Sequence, residues 1–373
     1  MTSRLIVNSI RHTGASADAI TLDNSGNATF PANVTCSGTA SGFASRFQRN
    51  LIINGAMQVA QRSTSSTTNG YGSVDRYSIG NYGVDEVPTH AQVDVASGTT
   101  PYTNGFRKAL KITNGNQTSG AGAADYIEIG YKIESQDIAN SGWNYLSSSS
   151  FITLSYWVKS SVAQTFYGYM FNRDGTIRSY PWSTGSLNAD TWTKITKTIP
   201  GFSGLQFDND NGAGLEIYFP LFNGTNMTNN SRSLNNWATH DGAAQTPDQT
   251  STWYTTNDAT FEMTGLQLEV SDSASDFEHR SFGQELNLCK RYYQEAGILL
   301  SNTSPYRYHN NICLETEMRI TPTRTVGAID SGSGGAITPL WDNTNGANSK
   351  QYFYQGNPNS VISNAWFKFD AEL

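Results

Sequence analysis

The chain has 373 residues, 37% of them hydrophobic and 15% charged, with a net charge of −7 at pH 7. An acidic chain with no basic run repels phosphate backbones, which argues against nucleic-acid binding; the low charge also separates it from disordered chains, in which low hydrophobicity goes with high net charge. Gly (34 residues), Ser, Thr and Asn fill the remainder beside 19 Tyr and 8 Trp, a composition suited to short β-strands and tight turns.

No apolar run is long enough to cross a bilayer, and the opening MTSRLIVNSIRHTG lacks the uninterrupted apolar core of a signal peptide. The expectation is synthesis in a cytoplasm, with no membrane insertion. Cys36, Cys289 and Cys313 are odd in number and far apart, so they read as small apolar residues rather than a disulfide framework or a metal knuckle. This length leads one to expect two or three domains.

Residues 1–46 form an arm. Arg4 to Ile10 alternates, and Ala19 to Leu22 and Ala28 to Phe30 are short strands around the turn Asp23-Asn24-Ser25-Gly26-Asn27. No Trp or Tyr precedes Tyr71, so the arm lacks the means to build a core alone. It is either a loose terminus or a self-associating segment.

Residues 47–280 form the main domain. Strands are expected at Leu51 to Ile53, Gln58 to Gln61, Arg76 to Ile79, Gln92 to Val95, Ala109 to Thr113, Tyr126 to Lys132, Phe151 to Lys159, Thr165 to Phe171, Trp192 to Ile199, Leu215 to Phe219 and Phe261 to Val270. Asn172-Arg173-Asp174-Gly175 is a hairpin turn, since Asp-Gly supplies the positive φ angles required. Phe151 to Lys159 is apolar on both faces, as a central strand is. The pattern predicts a mainly β fold with a large jelly-roll-like antiparallel sandwich. The last strand alternates imperfectly around Gly265 and Leu266, then cleanly from Gln267 to Val270.

Residues 281–296 read as the one short helix. Ser281 and Gln284 make a reciprocal capping box, and Gly297 is a C-terminal stop. Phe282, Leu286, Cys289 and Tyr293 recur in a narrow stripe. Such a stripe either packs on the sandwich or forms a seam where identical chains meet. Residues 297–373 form a small C-terminal β tip domain, with strands at Tyr306 to Tyr308, Ile312 to Leu314, Thr325 to Ile329, Gln351 to Tyr354 and Ala365 to Phe369. Three copies packed round an axis would bury its apolar surface.

Three stretches carry a resemblance. TGLQLEV…FEHRSFGQELNLCKRYYQ resembles the segment closing the carbohydrate-binding-module-like β-sandwich of bacteriophage virion fibre proteins. NLIINGAMQVAQRS…DRY, from Asn50 to Tyr77, resembles the opening of that module, and LETEMRITPTRTVG with the closing DAEL resembles the distal domain. The resemblance implies a homotrimeric tail fibre in the virion. Its arm would attach to a phage tail or adaptor protein, as LIVNSI…ITLDNSGNATFPANVT does in proteins that look like this. Its distal end would meet a host surface glycan or lipopolysaccharide. A polysaccharide-degrading tailspike, a neck or head fibre and a free carbohydrate-binding module remain as alternatives.

The residues themselves offer little catalysis. Asp85 with Glu86, Glu128 with Glu134, and Glu262 with Glu269 are carboxylate pairs of the kind glycan cleavage needs, but their spacing equally fits solvated strand faces. His12, His90, His240, His279 and His309 are isolated, against a zinc site, and there is no G-x-S-x-G. His279, beside Glu278 and Arg280, reads as a local hydrogen-bonding residue. Asp208-Asn209-Asp210-Asn211-Gly212 offers oxygens for Ca²⁺ or makes an ordinary turn. No catalytic residue, metal or cofactor is assigned. Sugars present apolar faces ringed by hydroxyls, so their sites need aromatic platforms flanked by amides and carboxylates. Tyr180 and Trp182 in the loop after Ile177, and Trp237, Trp253 and Tyr254 in the polar insertion from Asn223 to Thr260, are candidates, since exposed loop aromatics often bind ligands. Trp341 and Tyr352, with Tyr306, Tyr308 and Tyr354, make the distal tip the rival location.

Overall fold

The computed structural model describes residues 7–11, 13–14, 16–25, 28–29, 49–298, 309–331, 337–341, 351–356 and 362–373. The chain divides into two compact units, residues 1–47 and 48–373. In the first, β1 (Ser9–Ile10), β2 (Ile20–Leu22) and β3 (Ala28–Thr29) form an antiparallel sheet. Its Ile10 and Leu22 stay exposed, as expected of strands too short to bury a face.

The second unit is built on β4 (Ser65–Ser66), β5 (Tyr77–Tyr82), β6 (Thr89–Asp94), β7 (Lys108–Thr113), β8 (Tyr126–Glu134), β9 (Phe151–Ser160), β10 (Thr165–Asn172), β11 (Arg178–Ser186), β12 (Thr193–Pro200), β13 (Ala213–Asn223), β14 (Ala238–Thr239) and β15 (Thr260–Glu269). They make two six-stranded sheets, sheet I in the order β14-β11-β10-β13-β8-β5 and sheet II in the order β12-β9-β15-β7-β6-β4. The chain passes repeatedly between the sheets, and every ladder is antiparallel. One phase of each strand fills the space between them. Ile152, Leu154, Tyr156 and Val158 of β9 meet Ile127 and Ile129 of β8 and Leu215, Ile217 and Phe219 of β13 in one buried core. Each such side chain contributes about 1.5–3 kcal/mol. On the edge strand β12, Lys197 lies in phase with buried Ile195 and Ile199, and burial lowers its pKa. An inward lysine on an edge disfavours pairing with another sheet.

The imperfect alternation in the last strand is a bulge. The ladder between β15 and β9 shifts between Thr264 and Gln267, and Gly265 sits at φ +66° with Phe106 packed where a Cβ would be. Against this bulge lies the segment expected to hold two strands at Leu51 to Ile53 and Gln58 to Gln61. It is irregular instead, because side chains take over the ladder's role. Asn50 Oδ1 accepts from Ile52 N and Leu268 N, both at 3.0 Å. Buried Asn54 donates to Val59 O at 2.9 Å and Asp75 O at 3.0 Å, and accepts from Val59 N at 3.0 Å.

Helices are few. α1 (Thr100–Thr103), α2 (Ser135–Ala139) and α3 (Thr252–Thr255) are single turns, and α4 (Phe282–Lys290) carries the expected capping box. Among the described residues no helix is long and apolar enough to cross a membrane. The helix expected to run to residue 296 ends at Lys290, and Tyr293 opens a strand, β16 (Tyr293–Ile298). Tertiary contacts draw the chain out of the helix. Arg291 donates twice to Glu134 at 2.8 Å, and Tyr292 donates to the same carboxylate at 2.6 Å.

The remaining strands are β17 (His309–Cys313), β18 (Thr323–Ser331), β19 (Ile337–Trp341), β20 (Gln351–Gly356) and β21 (Ile362–Asp370), in sheets of order β16-β21-β18 and β17-β20-β19. The expected Tyr306 to Tyr308 strand lies outside the described residues. The end of the chain is tied to the sandwich by a buried charge cluster. Arg62 holds Asp370 at 2.9 Å and Glu372 at 3.3 Å, and Arg76 pairs with Glu372 and donates to Lys132 O at 2.7 Å. The two guanidinium groups lie 3.8 Å and 3.4 Å from the ring centres of Tyr293 and Tyr292, a cation–π geometry. The three stretches that carry the fibre resemblance therefore meet at one junction.

Candidate functional site

Strand alternation sends the second phase of sheet I outward, and that phase is aromatic. Tyr167, Tyr169 and Phe171 of β10 point away from the core while Phe166 and Met170 point into it. Tyr169 lies opposite Tyr218 of β13, and Phe171 opposite Glu216. Glu216 in turn faces Lys132 of β8, Tyr218 faces Gly130, and Pro220 faces Glu128. On β5, Ser78 is opposite Gly130, Gly80 opposite Glu128 and Tyr82 opposite Tyr126.

The rings form a panel. Tyr169 and Tyr218 stack with centroids 5.4 Å apart, Phe171 and Tyr218 at 5.7 Å, and His240 covers Phe171 at 4.9 Å. Tyr82 and Tyr126 stack at 6.3 Å toward the β5 edge. Two glycines make the floor between these groups. A Cβ on Gly130 would lie 3.0 Å from the Tyr218 ring, and one on Gly80 3.3 Å from Tyr126, so both rings lean over bare backbone. Tyr169 and Phe171 are buried beneath their neighbours, Tyr218, Tyr126 and Tyr167 are half-buried, and Tyr82 is 62% exposed. On the far side, the insertion after β13 closes the face. Arg232 donates to Ser179 O at 2.8 Å, Asn235 N to Pro181 O at 2.8 Å, and His240 N to Ile177 O at 3.0 Å.

Charge is distributed unevenly over the panel. Glu216 accepts from Tyr218 at 2.7 Å and pairs with Arg173 at 3.3 Å and Lys132 at 3.8 Å. Among the described residues, Glu128 accepts only from the Tyr169 hydroxyl, at 3.4 Å. Burial raises Glu128 to about 7, with the Tyr169 bond opposing and Glu216 adding to the shift. Burial and nearby Arg232 hold His240 below its usual range, so its ring is neutral near pH 7. The result is a set of flat apolar rings edged by a carboxyl, a carboxylate, hydroxyls and cations. That arrangement suits a ligand with apolar faces and a rim of hydroxyl groups.

The five sandwich aromatics expected to be platforms lie elsewhere. Tyr180, Trp182, Trp237, Trp253 and Tyr254 are all in the core, and Tyr180 and Trp182 stand on β11 rather than in a loop. Their polar atoms are satisfied inside. Trp182 donates to Tyr156 Oη at 2.9 Å, Trp237 to Pro200 O at 2.7 Å, Trp253 to Thr260 O at 3.1 Å and Tyr254 to Asp125 at 3.0 Å. A ring walled in on both faces offers nothing to stack on, so these five are corrected to packing residues. Trp341 and Tyr352 stand on β19 and β20, and Tyr306 and Tyr308 lie outside the described residues. The helical stripe is split: Cys289 and Tyr293 are buried, Leu286 is half-buried and Phe282 is 55% exposed.

The carboxylate pairs are dispersed. Glu128 and Glu134 share one face of β8 but are six residues apart, about 20 Å along a strand, well beyond the ~5–10 Å of glycosidase pairs. Glu262 pairs with Lys159 at 2.9 Å, and Glu269 accepts from Ser275 at 2.6 Å. Asp85 caps Ser119 at 2.6 Å, and Glu86 accepts from Asn116 N at 2.8 Å. His279 Nε2 donates to Asn104 O at 2.9 Å, with the ring against Phe106 and Phe277. In the Asp208–Gly212 stretch, Asp210 accepts from Gly212 N at 2.9 Å, and Asn211 donates to Arg319 O at 2.7 Å. Among the described residues no group of His, Cys, Asp and Glu gathers to hold a metal ion.

No protein-family model matches the chain. No curated protein sequence matches it. Solved structures that the chain matches include the enzymatically active domain of tailspike protein 4 of bacteriophage CBA120, with 10% identity, a TM-score of 0.32 and coverage of 60% of this chain and 22% of the tailspike chain. A family 11 carbohydrate-binding module from Clostridium thermocellum, in complex with a β-1,3-1,4-mixed-linked tetrasaccharide, matches with 11% identity and a TM-score of 0.26 over 56% of this chain and 98% of the module. The N-terminal cellulose-binding domain of β-1,4-glucanase C from Cellulomonas fimi matches with 11% identity and a TM-score of 0.28 over 58% and 100%. These likenesses fall below the level at which function carries over.

Proposed function

We propose that this chain is a non-enzymatic attachment protein that binds surface glycans through the outer face of sheet I. The observation that carries this reading is the outward row of half-buried Tyr167, Tyr218 and Tyr126 and exposed Tyr82, backed by stacked Tyr169 and Phe171, with Glu128 and Glu216 beside it. Flat rings stack on the apolar faces of pyranoses, and the flanking groups bond their hydroxyls. The fibre resemblance supplies the setting: a homotrimeric tail fibre of a virion, docked on a tail or adaptor protein by its arm, with the tip strands as a second contact. Multivalency would turn weak sugar contacts into firm attachment. The exposed Phe282 end of α4 is the part of the helical stripe left to join copies.

Affinity electrophoresis in gels containing barley β-glucan, hydroxyethyl cellulose or bacterial lipopolysaccharide tests the face. The expected outcome is retardation by one of these polymers and its loss in Tyr218→Ala. Retardation by none, or retardation indifferent to Tyr218→Ala, overturns the reading. A fall in polymer viscosity on incubation would replace it with a degrading tailspike.

A further inference from the structure

The two carboxyl groups of the panel have unequal neighbours. Both nearby cations go to Glu216: Arg173 at 3.3 Å and Lys132 at 3.8 Å. Among the described residues, Glu128 is left with one long hydroxyl contact, from Tyr169. Directly across from it stand Gly80 on β5 and Pro220 on β13, neither of which has a polar side-chain atom. The titratable and charged groups around it are Tyr126 and Lys132 of its own strand, Glu216 and Tyr218 of β13, Tyr169 of β10 and Tyr82 of β5. None of these brings it a cation. The residue is half-buried, and its strand phase, alternating with buried Ile127 and Ile129, turns it to the outer face of sheet I.

On the reading that this face binds sugar, we propose that Glu128 is a specificity residue that meets the sugar as a neutral carboxylic acid, its O–H donating to a ring or glycosidic oxygen. Those oxygens only accept, so an ionised Glu128 could not bond them. A sugar laid over the ionised form would also strip its remaining water beside the negative Glu216, a costly desolvation. Burial already raises the group to about 7. Binding therefore weakens as pH rises through neutrality and the O–H is lost.

The test runs the same three polymer gels at pH 5.5, 7.0 and 8.5 with the full chain and with Glu128→Gln. A ¹³C titration of the glutamate carboxyl carbons accompanies it, with the variant assigning the Glu128 signal. The expected result is an apparent affinity of the full chain that falls about thirtyfold between pH 5.5 and 8.5, as a single proton with a pKa near 7 requires. Glu128→Gln, which cannot ionise, loses this pH dependence; that comparison also separates Glu128 from His240. Retardation that is flat or rises with pH overturns the proposal, as does a Glu128 carbon titrating in the ordinary carboxylate range. Absence of retardation at every pH instead overturns the sugar-binding reading on which it rests.

Discussion

Glu128 and Glu134 stand on the same face of the same strand, yet their protons follow opposite rules. Burial acts to raise both. At Glu134 the paired bonds from Arg291 and the Tyr292 hydroxyl outweigh it and hold the carboxylate below its usual range. At Glu128 only Tyr169 opposes burial, and the group rises to about 7. The first lies where the sandwich meets the helix and the chain's end, and its charge is spent on holding parts together. The second lies where the sheet faces outward, with bonding capacity left over. Three donors saturate the carboxylate that joins the sandwich to the helix, whereas the carboxyl on the outer face has one long contact.

The sharpest attempt to break this contrast is at the junction. Arg76 is 1% exposed and pairs with Glu372. Arg76→Ala leaves buried Glu372 with Arg62 alone, at 3.3 Å, and takes the donor from Lys132 O; breaking a buried pair from one side costs about 3–5 kcal/mol. Urea unfolding should show it as a large fall in midpoint; a change under about 1 kcal/mol would mean that the cluster is not what closes the junction. The two glutamates come next. Because the folded state raises Glu128, it holds an extra proton between the ordinary carboxylate pKa and about 7, so the group's contribution to stability falls as pH rises through that window. Glu128→Gln should then be more stable than the parent at pH 8, by roughly 3 kcal/mol for a shift of this size. Glu134 has the reverse sign. Its contribution is present above the ordinary carboxylate pKa and is lost as pH falls through its lowered folded value. Glu134→Gln should be less stable than the parent at pH 7, by about 1.5–3 kcal/mol for charged hydrogen bonds, with the gap closing in acid. Stability–pH curves of the same slope for both variants would erase the distinction.

Most sandwich strands were legible because their apolar residues alternate with period two and Gly, Asn and Ser mark the gaps. β11 escaped because Pro181 and Gly185 break that pattern. The ladder tolerates them, since Pro181 turns its carbonyl to Asn235 N at 2.8 Å. The helix was read too long because Tyr293 continues its stripe, and only long-range partners, Glu134 and β21, turn the chain into a strand there. The candidate site was hidden for a related reason. Glu128, Tyr169 and Tyr218 come from three separate strands, and no local spacing joins them. A signal did exist in Thr165 to Phe171, where aromatic residues occupy the outward phase while the inward phase is already apolar. The opposite error concerned rings in polar loops. Trp237 and Trp253 lie among Asn, Thr and Ser, but a large ring in such a stretch seals the end of the core.

The smallest effects belong to the helical stripe, where the contrast between packing and contact runs along about two turns. Cys289 is 1% exposed and Phe282 is 55% exposed. Enlarging the buried member, Cys289→Leu, should overpack the junction and cost about 1–3 kcal/mol. Removing the exposed ring, Phe282→Ser, should leave monomer stability within about 0.5 kcal/mol, as surface changes do. If the free end of α4 joins copies, Phe282→Ser will still lower the native mass measured by light scattering from that of a trimer, while the urea midpoint stays unchanged. A trimer that survives Phe282→Ser would place the seam in the arm or the tip instead, and removing the residues before Arg46 would then choose between those two.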